Sequence, residues 1–255
     1  MKNYKVFALA LTALLFCATV SFGEEESKKK PDNYIGAGVL MRECPYVDCE
    51  SKSLPVPLFY WHKDNWFIEG TKGGYTIFKK GNFKAKAILA PRLMGYDDDD
   101  AAILNGAEDR DMSLDAGIEL KLLVPELSGI ELNAGFVNDV LNIHKGNEAK
   151  ASVAKEFKGK IFLFKPSAGV KWQSANLVDY YYGVRATETT ASRPEYNAKT
   201  SSNHFANLDF YLGLPKDFLL VTSVGFEHLG DAIERSPITD DNGIFSCILG
   251  VVRKF

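Results

Sequence analysis

The chain has 255 residues, 46% hydrophobic and 25% charged, with 30 Lys and Arg against 33 Asp and Glu and a formal net charge of −3. That length fits one domain of barrel or sandwich size, and a mildly acidic balance with both signs interspersed argues against nucleic acid as a partner. After residue 23 no apolar run reaches the ~20 residues of a spanning helix, which leaves an exported soluble fold or a membrane β-barrel.

Residues 1–23, "MKNYKVFALALTALLFCATVSFG", read as a secretory signal peptide: Lys2 and Lys5 in a basic head, an apolar run from Val6 to Val20, then small residues at Ser21 and Gly23. Cleavage is expected after Gly23. The alternative lipoprotein reading of Cys17 has Phe16 where a small residue is wanted. Loss of the two signal lysines takes the net charge from −3 to −5. Residues 24–33, "EEESKKKPDN", form a solvated charged leader ahead of the remaining domain, 34–255.

From residue 34 the dominant signal is alternation with period two. Residues 83–93 oppose Phe83, Ala85, Ala87 and Leu89 to Lys84, Lys86 and Arg92, and 113–122 oppose Leu114, Ala116, Ile118, Leu120 and Leu122 to Ser113, Asp115, Gly117, Glu119 and Lys121. Residues 161–172 carry Phe162, Phe164, Pro166, Ala168, Val170 and Trp172 on one face with Lys165 and Lys171 on the other, and 205–214 repeat the pattern around Asp209. No helix is expected. Segments of about 10 residues suit strands tilted across a bilayer, and the apolar faces carry aromatics near their ends as an interfacial girdle does. The last strand ends on Phe255, an address for the outer-membrane barrel assembly machinery.

Twelve strands are expected, near 34–42, 53–62, 65–70, 74–79, 83–93, 112–123, 129–139, 148–158, 161–172, 203–214, 217–228 and 243–255. With that count every long connection falls on one side, as in outer-membrane barrels, and Gly70, Gly73 and Gly74 supply a tight external turn. The fold class is therefore an all-β, antiparallel transmembrane barrel in the cell outer membrane, with ten strands as the alternative count and an exported soluble sandwich as the lesser alternative.

Several strings, in order, resemble the MipA/OmpV family of outer-membrane proteins: "YIGAGVLMRECPY", "LPVPLFYW", "FIEGTKGGYTIF", "YYYGV" followed by "SRPEYNA", and "HLGDAIERSPIT". The chain departs from the family pattern at Val47-Asp48-Cys49 and at Arg253-Lys254-Phe255. The resemblance implies a non-enzymatic barrel. It implies as partners a murein lytic transglycosylase and a penicillin-binding protein, for which such a barrel is a scaffold, with a porin-like role as the alternative.

The sequence carries no recognisable catalytic, cofactor or metal motif. His62, His144, His204 and His228 are scattered, and no Gly-x-Ser-x-Gly or His-Glu-x-x-His run exists. The candidate lumen charges are Lys84, Lys86, Arg92, Asp115, Glu119, Lys121, Glu131, Lys165, Lys171, Asp209 and Glu227. They read either as ion pairs that fill the interior or as the lining of a narrow polar pore. Seven acids in "YDDDDAAILNGAEDRD" read as a solvated loop or as a divalent-cation bridge to lipopolysaccharide. The tyrosines of "LVDYYYGVRA" read as a ligand platform, as interface-belt residues, or as packing that folds the longest loop inward. Cys44 and Cys49, with four residues between them and no further Cys or His close by, read as a loop disulfide rather than a zinc or redox site. Cys247 is left as a lipid-facing thiol.

Overall fold

Alternation commits each segment to an extended chain with two unlike faces, and closing the sheet gives each face its own solvent. A computed structural model describes residues 33–240 and 242–255; the signal segment 1–23 and residues 24–32 of the leader lie outside the described residues. The strands are β1 (Tyr34–Arg42), β2 (Lys52–Lys63), β3 (Trp66–Gly70), β4 (Lys72–Lys80), β5 (Phe83–Arg92) and β6 (Ser113–Val124). They continue as β7 (Ile130–Asp139), β8 (Asn147–Lys155, resumed at Phe157–Lys158), β9 (Phe162–Gln173), β10 (Ser201–Leu214), β11 (Phe218–His228) and β12 (Gly243–Lys254). Each pairs antiparallel with the next, and β12 returns to β1, with Tyr34 opposite Lys254 and Arg42 opposite Ser246. The result is a closed twelve-stranded barrel, which removes both the sandwich and the ten-strand count.

Register decides which face each side chain takes. Ile118, Leu120 and Leu122 of β6, Leu132 and Phe136 of β7, Val170 and Trp172 of β9, and Leu249 and Val251 of β12 are all exposed on the outer wall. Connections 43–51, 93–112, 140–146, 174–200 and 229–242 gather at one end, and the turns at the other end are all five residues or shorter. In outer-membrane barrels the long connections are the external ones. The β3–β4 turn departs from expectation. Only Gly70 makes it, at φ +69°, while Gly73 and Gly74 lie inside β4. Gly74 is needed for packing, since a Cβ there would stand 2.7 Å from the Phe67 ring.

The expectation of no helix fails in two external loops. Helix α1 (Ala175–Tyr182) opens the 174–200 connection, and α2 (Asp231–Glu234) lies in 229–242. α1 stops at Gly183, whose N–H donates to the Asp179 carbonyl at 2.8 Å.

The interior is divided. On the β1, β2, β11 and β12 side it is apolar, with Val56, Leu58, Val221 and Val252 buried together against Leu40, Leu54 and Tyr211. Leu58 fits because Gly250 stands across from it; a Cβ at 250 would come within 2.4 Å of its Cδ1. The opposite side, β3 to β10, carries most of the charges, with Glu227 added from β11.

Candidate functional site: a capped, charged lumen

All eleven charges named from the sequence project into the lumen on inward positions of their strands. Most are paired, either with the adjacent strand or across one intervening strand. Lys86 meets Glu69 at 2.8 Å, Lys121 and Lys165 share Glu131 at 2.6 and 2.8 Å, and Arg92 Nε donates to Asp115 at 2.8 Å. Glu119 receives Lys72 at 2.7 Å, Lys171 bonds Glu227, and Asp209 accepts from Ser223 Oγ at 2.6 Å. The sequence reading missed Glu69, Lys72, Glu148 and Lys150, although the same alternation marks them as inward. Two cavities of about 910 and 420 Å³ are stacked along the barrel and share Lys72, Glu119, Gly135, Lys150 and Asn207 as lining. The two thus share a common wall, and the larger lies toward the short turns.

Near the long loops a chain of polar contacts crosses the barrel. His144 Nε2 lies 3.2 Å from Asp115, Arg92 joins Asp115 to Glu148 at 3.2 Å, and Gln173 Nε2 continues from Glu148 at 3.1 Å. Asn203 Nδ2 then reaches Gln173 at 3.4 Å and Glu227 at 2.8 Å. Beside it Asp139 accepts from Ser113 Oγ at 2.7 Å and from the N–H groups of Leu141, His144 and Lys145, which fixes the 140–146 turn. Asp115, Asp139 and His144 converge closely enough to hold a metal, yet both carboxylates are already hydrogen-bonded to protein donors. Among the described residues no hydroxyl or thiol bonds a histidine ring, so no nucleophile and base pair is assembled.

Above this network the external loops close the mouth. Leu177, Val178, Tyr181 and Tyr182 of α1 are buried in a cluster with Tyr46, Tyr96, Leu104, Leu229, Ile233, Ile238 and Ile244. One helical face, formed by i, i+1, i+4 and i+5, therefore points down onto the barrel. Tyr46 stacks edge-on to Tyr96 with centroids 4.9 Å apart and donates its hydroxyl to the Tyr181 carbonyl at 3.1 Å. Ser236 Oγ donates to the Tyr182 carbonyl at 2.6 Å, and Tyr196 OH to the Ala232 carbonyl at 2.9 Å. Burial raises the ionisation of Tyr46, Tyr96 and Tyr181 above the ordinary phenol range and pushes Tyr182 up to about 12. Of the readings open for the three adjacent tyrosines, inward packing is the one observed.

A buried ion pair locks the cap. Arg110 Nη2 donates to both Glu188 oxygens at 2.8 and 3.0 Å, and its Nε reaches the Tyr180 carbonyl at 2.6 Å. Arg193 ties the same turn to the carbonyls of Glu188 and Ile103 at 2.8 and 2.6 Å. Neither arginine stood out in the sequence, because their partners lie far off in the chain or on the backbone.

The Cys44–Cys49 disulfide is present, with Cα atoms 5.7 Å apart, in the first external loop. Cys247 is free and points outward by register with Phe245 and Leu249, but its neighbours cover it to 6% exposure. Within the acidic loop Asp100 bonds Lys52 and accepts from the Asp97 N–H at 2.7 Å, and Asp109 accepts from the Asp98 N–H at 2.9 Å, so part of its charge is used internally. Phe255 is 68% exposed, and its N–H donates to the Asn33 carbonyl at 3.1 Å.

A family model described as MltA-interacting protein MipA matches residues 35–255. The chain belongs to this family. The MltA-interacting protein of Escherichia coli strain K12 is 25% identical over 266 residues, covering 100% of both chains. An outer-membrane protein by name, YiaT of the same strain, is 26% identical over 97% of each chain. OmpV, named as an outer-membrane protein of Vibrio cholerae, is 27% identical over 71% of this chain and 70% of its own. With the closed barrel and its apolar outer wall, these relatives put this MipA-family chain in the outer membrane. The family strings around residues 180–198 and 228–239 are the segments that build the cap.

Proposed function

We propose that this MipA-family barrel is a non-enzymatic scaffold that holds a murein lytic transglycosylase, and through it a penicillin-binding protein, at the outer membrane. The observation that carries this reading is the closed mouth. A pore must let solute through both ends, whereas here α1 and four fully or nearly fully buried tyrosines lie across the external end and the lumen charges are mostly paired. A barrel so filled is a rigid platform whose work is done at its surfaces. The name of the Escherichia coli relative, an MltA-interacting protein, supports the choice of a transglycosylase as partner.

The second reading, a narrow porin for small polar solutes, draws on the two charge-lined cavities stacked beneath the cap. One pair of measurements separates the two. The scaffold predicts a silent protein in planar bilayers and a murein transglycosylase that co-purifies with it from solubilised envelopes. Stable conductance steps whose selectivity changes in Lys165→Glu, with no transglycosylase retained, would replace the scaffold by the porin.

A further inference from the structure

The β3–β4 hairpin is too short for the wall it belongs to. Its turn at Gly70 and Thr71 lies level with Phe59 of β2, where Gly70 pairs, and with Pro91 of β5, two residues past the last β4–β5 pair of Gly73 with Leu89. Beyond that level β2 runs on through Leu58 to Lys52 paired only with β1, while Ala90 to Arg92, alongside and just past the hairpin tip, are paired only with β6. The wall therefore has an asymmetric notch, about 23 Å along β2 at ~3.3 Å per residue but only about 3 Å beyond Pro91 on the β5 side.

The notch opens inside the apolar belt. Pro57 and Pro55 sit opposite Ala37 and Val39, which in turn face Val251 and Leu249, and Pro91 sits opposite Leu114. An open sheet edge at that depth leaves backbone N–H groups facing hydrocarbon with no acceptor, which bilayers do not tolerate. Here the edges are made of proline. The His62 N–H turns toward β1, donating to Asn33 Oδ1 at 3.1 Å, so period two turns the nitrogens of Pro57 and Pro55 the other way, into the notch. Likewise the Asn82 carbonyl accepts from the Leu123 N–H on the β6 side, which turns the Pro91 nitrogen into the notch from the opposite edge. Three positions whose N–H groups would face lipid thus carry none.

Behind the notch is a cavity of about 300 Å³ lined by Leu54, Leu93, Met94, Met112, Tyr182 and Arg42. Arg42 also lines the lumen cavity beneath the cap. Its guanidinium has no hydrogen bond or ion pair to any described residue, whereas the other cations of this cavity, Lys52 and Arg110, are taken by Asp100 and Glu188. Of the cavity's carboxylates, Glu43 accepts from the Phe245 N–H, and Asp97 and Asp111 are exposed at the loop rim. An unpaired guanidinium at the inner end of an apolar slot is complementary to an anionic head on an acyl chain.

We propose that the notch is a lateral port that takes an acyl-chained anion from the outer leaflet, its phosphate or carboxylate head on Arg42 and its chain lying out between Pro55, Pro57 and Pro91. The test uses the full-length protein in phosphatidylcholine nanodiscs with three nitroxide-labelled probes: stearate, phosphatidylglycerol and phosphatidylcholine. Stearate or phosphatidylglycerol should show a motionally restricted population that phosphatidylcholine lacks, and which of the two shows it tells a carboxylate from a phosphate lipid. Arg42→Gln should weaken that population about tenfold, as loss of a charge-assisted contact does. Met94→Trp, which fills the cavity, should abolish it, while Arg253→Gln, at the far end of β12, should leave it unchanged. Heat-modifiable gel migration checks that each variant has closed its barrel, and Met94→Trp carries the test if Arg42→Gln does not close. Equal restriction of all three probes, or restriction untouched by both variants, overturns the port.

Discussion

Arg110 shows how much one residue can hold in the cap. Its side chain is 1% exposed and that of Glu188 3%, so each charge has given up its water for the other. Removing one partner of such a pair strands the other, which typically costs about 3–5 kcal/mol. Glu188→Ala is expected to loosen the cap by that order while leaving the barrel closed, because the Glu188 carboxylate bonds loop groups: Arg110 and the N–H groups of Glu108 and Arg185. Faster proteolysis within 174–200 at unchanged heat-modifiable migration would bear this out, and wild-type resistance would refute it. By contrast, the six-residue ring closed by Cys44 and Cys49 removes little loop entropy, so reduction should cost no more than about 2 kcal/mol.

At the scale of elements, α1 and its tyrosines give the cap a pH signature. Tyr182 is raised to about 12 by burial, above the ~10 of a free phenol. A group whose folded pKa is raised favours the protonated form in the fold, so its stabilising share is complete below pH ~10 and is lost as pH climbs toward ~12. Tyr46, Tyr96 and Tyr181 shift in the same direction for the same reason. Spectrophotometric titration should find this group of phenols ionising late and together with loss of near-ultraviolet dichroism, whereas ionisation near pH 10 with the dichroism intact would show that the cap is not closed.

The same elements mark what a sequence makes legible. Strands such as β6 and β9 were readable because period two repeats over ten or more residues and both faces have distinct solvents. α1 spans eight residues, less than the window in which a 3.6-residue period rises above chance, although Leu177, Val178, Tyr181 and Tyr182 do fall on one face. Arg110 and Glu188 lie 78 positions apart, and nothing local to either announces the other. The prolines of "LPVPLFYW" were visible as family residues, but their role needs the length of the neighbouring hairpin, which only the register supplies.

For the whole molecule, the lumen beneath the cap sets a last expectation. Eight lysines and four carboxylates line the wide chamber, with Glu131 set behind Lys121 and Lys165, so the chamber keeps a net positive charge after every pair is made. Positive potential confined between low-dielectric walls concentrates small anions. The closed mouth hides this property in the intact protein. Replacing Leu177 and Tyr182, 0% and 1% exposed, by aspartate and alanine should break the cap at its centre and leave the strands unchanged, since both residues lie outside them. The double variant is then expected to conduct where the intact protein is silent, with a reversal potential favouring chloride over potassium that shrinks in Lys165→Glu. A conducting variant with cation preference would mean that the paired carboxylates, not the surplus lysines, control the chamber, and a silent variant that still closes its barrel would place the block at the polar network below α1.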